Sequence, residues 1–110
     1  MAKLTIEVKG KDYTFELDRA EVKRGDTLGF DRTKMEANLA TQSSILWYMG
    51  LHKHQPNMTP RIAEELLVEY AENENGDVGE VFVFLTEQYN TFSLATLISS
   101  DTKKKGRLED

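Results

Sequence analysis

Apolar and polar residues alternate cleanly at the start of the chain. Leu4, Ile6 and Val8 fall on one face, and Lys3, Thr5, Glu7 and Lys9 on the other. Tyr13, Phe15 and Leu17 repeat the pattern after a short "KGKD" turn containing Gly10. Period-two alternation on both sides of a glycine turn predicts an antiparallel β-hairpin with one apolar face. A lone hairpin is marginal in water, so the rest of the chain must cover that face.

Asp18 is placed to cap a short helix in "RAEVKRGDTLGF", which Gly25 should interrupt and Gly29 should stop. Leu28 and Phe30 are expected to pack back on the hairpin. From Thr33 the period becomes helical. Leu39, Gln42, Leu46, Met49 and Lys53 share one side, with Ile45, Tyr48 and His52 beside it. Pro56 biases Gln55 away from the α region and should end this helix near there. Thr59–Pro60 is a start signal for the next helix, whose stripe is Ile62, Leu66, Leu67, Tyr70 and Ala71. "NENGD" closes it. In the last segment "VFVFL" has strand propensity, but the longer window from Val78 to Ser99 fits a helix, and length favours the helix, with a break near Asn90. The fold class expected is α+β: an N-terminal antiparallel β-hairpin packed against three to four α-helices, in a single domain over 1–100.

The length of 110 residues allows one modest core. Its absence of cysteine excludes disulfides, thiolate metal sites and thiol nucleophiles. No run approaches the roughly 20 apolar residues of a membrane span, and "MAKLTIEVKG" has no signal-type apolar core. A cytoplasmic protein is expected. The net charge of −5 argues against a nucleic-acid partner. The charge is uneven. "DTKKKGRLED" carries net +1 with a single large apolar residue, Leu108, and 101–110 reads as a disordered charged tail.

The chemistry-bearing residues are few. His52 and His54 are the only histidines. Two residues apart on a helix they point about 200° from each other, so they cannot share one ion. They read as cations in the last helical turn, where the dipole favours positive charge. The glutamates of "AEELLVEYAENE" read as a solvated face or as an acidic patch for a basic partner. There is no Gly-rich phosphate loop, Gly-x-Ser-x-Gly elbow or His-Glu-x-x-His. No catalytic residue, cofactor or metal ligand is assigned, and an enzyme is not expected.

Trp47, Tyr48 and Met49 are consecutive, and three helical residues span about 200° of the circumference. Either that helix is covered on two sides, or part of it meets a partner. Val81–Leu85 poses the same alternative. Surplus apolar helical surface points to oligomerisation or client binding.

The order of these features resembles the small tail assembly chaperones of long-tailed bacteriophages of Gram-positive hosts. In that family a hairpin opens the chain and helices follow. An "hHPxhT"-type segment bridges two of them, and "hxxxYxxxhxxL" closes the domain. The matching residues are His54, Pro56, Met58 and Thr59, then Leu85, Tyr89, Ser93, Thr96 and Leu97. The resemblance covers about residues 4–100, and Gly25 departs from the pattern. It implies a non-enzymatic factor that coats the apolar, helical tape measure protein, acts in the host cytoplasm and leaves the finished virion. Tail tube subunits are a second possible client, and self-association is open. The alternative is a structural tail-completion or head–tail joining protein. Partner contacts are expected at Trp47, Tyr48, Leu51, Phe82 and Phe84. The family also implies that Lys103–Lys105 could mark a frameshift site, with a solubilising tail or a cloning remnant as the alternative readings.

Overall fold

The hairpin closes on two residues rather than four. Strand β1 (Leu4–Val8) pairs with β2 (Lys11–Phe15) in the register Val8↔Lys11, Ile6↔Tyr13, Leu4↔Phe15. The turn is Lys9–Gly10, both with positive φ, at 52° and 78°. That is the type I′ geometry whose twist matches the strands, and glycine carries the second position without strain. The structure, a computed structural model, describes residues 2–93. The expected helical continuation beyond Phe92 and the tail at 101–110 lie outside the described residues.

Helix α1 (Arg19–Thr27) starts as expected, with the Asp18 carboxylate accepting from the Glu21 amide at 2.9 Å. It does not break at Gly25. That residue is buried inside the helix, where an added Cβ would lie 2.6 Å from Met49 Sδ. Gly25 therefore serves close helix packing rather than a bend. The stop comes at Gly29, φ 90°. Phe30 N donates to Gly25 O at 2.9 Å and Gly29 N to Asp26 O at 3.2 Å, a Schellman closure. Leu28 and Phe30 were expected against the hairpin. Instead Leu28 shares a crevice with Ile45 and Tyr48, and Phe30 meets Tyr89 edge-on at 5.0 Å.

The central helix α2 runs Leu39–His52, later in starting than the periodicity suggested. Residues 32–34 form a separate 3₁₀ turn, because Asp31 Oδ1 accepts from both Thr33 N and Thr33 Oγ1, at 3.0 and 2.6 Å. Leu39, expected on one side of the helix with Leu46 and Met49, is 61% exposed while those two are buried. Thr59 caps α3 (Pro60–Val68) through Ile62 N at 3.2 Å, as its Thr-Pro start predicted. The buried face of α3 is Ala63, Leu66 and Tyr70; Ile62 and Ala71 are exposed. The helix widens to a π turn at Glu69–Asn73. Asp77 then caps α4 (Val78–Phe92). Val81–Leu85 is helical, so length outweighed local strand propensity, and the helix ends at Phe92 with Ser93 extended, close to the break expected near Asn90.

All four helices and the hairpin meet at the second half of α2, where Leu46 to Leu51 are buried without interruption. Trp47 is fully enclosed by Phe15, Tyr70 and Phe82, at ring distances of 4.8, 6.1 and 5.8 Å. Burial of such a side chain contributes about 1.5–3 kcal/mol. Tyr48 points the other way, to α1, where Arg24 Nη2 donates to its hydroxyl at 3.1 Å. The alternative left open by the sequence is thus resolved as a helix covered on two sides.

Gly50 makes that crowding possible: a Cβ there would sit 2.5 Å from Leu85 Cδ2 and 2.9 Å from Phe15 Cδ1. Gly50→Ala gains about 1 kcal/mol of helix propensity but overpacks two fully buried neighbours, which costs about 1–3 kcal/mol. Urea unfolding should show Gly50→Ala destabilised, while Gly79→Ala on the exposed first turn of α4 is neutral or stabilising.

Candidate functional site

Two features of the surface carry chemistry. The first is where "HKH" ends α2. His52 Nδ1 lies 3.0 Å from Glu21 Oε2. Lys53 Nζ bridges Glu16 Oε2 and Asp18 Oδ2, at 3.0 and 3.1 Å. His54 Nε2 lies 2.7 Å from Glu16 Oε1. The two histidines therefore serve different acids, His52 from the last turn of α2 and His54 from the turn that follows it. Glu16 is the centre of the cluster, its side chain only 3% exposed. A carboxylate so enclosed needs all its hydrogen bonds, and both oxygens have them. Among the described residues, no three His, Asp or Glu side chains are placed to hold a metal ion. The cluster fastens the β2–α1 junction to the end of α2.

The backbone reinforces that fastening. Glu16 N donates to Gly50 O at 3.0 Å. The Gln55 side chain accepts from Thr14 N at 3.1 Å and donates to Thr14 O at 3.3 Å. It pairs with the outer edge of β2 as a neighbouring strand would. Sequence reasoning missed Glu16, Glu21 and Gln55, and gave Asp18 its capping role but not its contact with Lys53. Only the charge complementarity of "ELDRAE" and "HKH" could have suggested the pairing.

The second feature is a groove of about 850 Å³ between the 30–36 segment and α4. Phe30 and Leu46 are its buried apolar lining, Met35, Thr86 and Tyr89 are half-buried, and Arg32 and Glu36 are exposed. The buried Gln42 amide holds its outer wall: Oε1 accepts from Asp31 N at 2.7 Å, and Nε2 donates to Gly29 O at 3.2 Å.

The residues expected to contact a partner are not on one surface. Trp47, Tyr48 and Leu51 are buried core side chains, which removes them from direct contact in this fold. Their apolar surplus is consumed by α1, α3, α4 and the hairpin. Phe82 and Phe84 are half-buried and flank Val83, which is 60% exposed. The groove was not foreseen, because its outer wall comes from a segment read as part of a helix. No protein-family model, curated protein or solved structure matches this chain.

The ion cluster sets a pH dependence. His54, the stronger influence, and Lys53 hold the Glu16 carboxyl below its ordinary value against the opposing effect of burial. The Glu21 amide, ahead of Lys53, does the same for Asp18. Both pKa values are lower in the folded than in the unfolded chain. Their stabilisation is therefore complete above the ordinary carboxylate range and is lost as pH falls through the lowered folded values. Thermal melts should show the midpoint falling between about pH 5 and about pH 3. Glu16→Gln should lower the midpoint near neutral pH and flatten that dependence.

Proposed function

We propose that this chain is a tail assembly chaperone, which binds the tape measure protein of a long-tailed bacteriophage in the host cytoplasm and is absent from the mature virion. The observation that carries the reading is the groove walled by Phe30, Met35, Leu46 and Tyr89, an apolar trough with polar flanks. A trough of that kind suits the apolar stripe of a client helix. Its volume is of the size that takes a few large side chains rather than a whole helix. The negative charge of the chain would keep a complex with an aggregation-prone client dispersed. The order of hairpin, central helix, "HQPNMT" turn and closing helix supports the same family reading. Tail tube subunits are a second client under this proposal.

Co-expression with the tape measure protein of a long-tailed bacteriophage tests the proposal. The native chain should hold the client in the soluble fraction. Met35→Arg and Thr86→Arg place charge on half-buried groove walls and should reduce the soluble client by about tenfold, equivalent to about 1.4 kcal/mol of binding. Their melting temperatures should stay near that of the native chain. Unchanged client solubility would refute the groove assignment. Recovery of this chain in purified virions would favour the structural tail component instead.

A further inference from the structure

The two edges of the hairpin are treated differently by the rest of the molecule. The outer edge of β2 is occupied, with Thr14 paired to Gln55 and Glu16 N bonded to Gly50 O. Thr14 is the register partner of Thr5, so their backbone groups point away from each other and out of the hairpin. The same parity turns the backbones of Lys3 and Glu7 outward on β1. Among the described residues, nothing pairs with these groups. The open stretch is bounded at both ends. Lys9 N donates to Glu74 Oε1 at 2.7 Å, and Ala2 O accepts from Gln88 Nε2 at 3.2 Å. Between these ties lies Lys3 to Val8, whose outward-facing groups, on Lys3, Thr5 and Glu7, are centred on Thr5.

That stretch is complementary to itself. Antiparallel pairing with a second copy about Thr5 sets Lys3 opposite Glu7, Thr5 opposite Thr5, and Glu7 opposite Lys3. Outward backbones meet outward backbones, so every ladder bond in the stretch can form. On the exposed face each lysine meets a glutamate, and cross-strand pairs of opposite charge stabilise a sheet while like pairs oppose it. On the apolar face Leu4, half-buried in one copy, meets Ile6 of the other. A twofold axis through Thr5 satisfies all of this at once, as an isologous dimer must.

We infer that two copies of this chain associate through β1 into a four-stranded antiparallel sheet ordered β2–β1–β1–β2. The occupant of the open edge is a second copy rather than a foreign strand, because the charge order Lys-x-Thr-x-Glu matches its own reverse. The association is independent of which client the groove takes.

Sedimentation of the full chain at low salt tests this, combined with amide hydrogen exchange. The native chain should become dimeric at concentrations on the order of tens of micromolar. The Thr5 and Glu7 amides should gain protection over that same concentration range. Lys3→Glu and Glu7→Lys each convert two symmetric attractions into repulsions and should weaken the dimer about tenfold. Neither side chain is buried, and Glu7 already faces Asp12 across the hairpin, so both variants should stay folded by circular dichroism. The double variant Lys3→Glu/Glu7→Lys restores the pairing and should restore the dimer. A chain that stays monomeric, or a dimer indifferent to both single substitutions, would overturn the inference. So would protection of Thr5 and Glu7 only when another protein is added.

Discussion

Six consecutive buried residues on one helix, Leu46 to Leu51, impose the arrangement of everything else. At about 100° per residue they pass through more than a full turn, so no single neighbour can cover them. The hairpin, α1, α3 and α4 must all reach the same helix, and they do. Trp47 faces Phe15, Tyr70 and Phe82 while Tyr48 faces Arg24. The hairpin gains the cover it needs in the same act. The cost is crowding, which explains why glycine stands at both Gly25 and Gly50, each against a fully buried side chain.

Polar side chains then fix what apolar burial leaves free to slide. Hydrophobic contact is non-directional, and a hairpin resting on a helix could shift along it. Gln42, Gln55 and Gln88 each bind backbone groups of another segment. The Glu16 cluster adds charge at one end of that contact. An exposed pair such as Arg61–Glu65, with side chains 77% and 65% exposed, contributes little by comparison. Glu16 differs because it is enclosed. Loss of either Lys53 or His54 would leave one enclosed carboxylate oxygen with neither water nor partner, so the cluster specifies position more than it adds net stability.

Local signals were readable where chemistry acts over a few residues. Alternation about Gly10 gave the hairpin, Asp18 and Thr59–Pro60 gave two helix starts, and Gly29 gave a stop. Signals failed where the deciding neighbour is far away in sequence. Gly25 reads as a breaker until Met49 lies against it. Trp47, Tyr48 and Leu51 read as spare surface until four elements are wrapped around them. Helix geometry argued against His52 and His54 sharing one ion, but it did not point to the acids they meet. Their acids, more than thirty residues earlier, left no periodic trace. The groove depends on residues 30–36 leaving the helical path, which Asp31 and Thr33 decide through short-range bonds that a periodicity reading averages away.

The Gln55 amide has a consequence beyond holding the hairpin in place. A two-stranded sheet with both edges open is a polymer-forming unit, since each addition exposes a new edge for the next. Here one edge carries its own terminator, a side chain that occupies the ladder position without offering a further one. Growth from β1 therefore ends after one step, with a sealed edge on each flank. The sheet of the dimer is thereby limited to four strands.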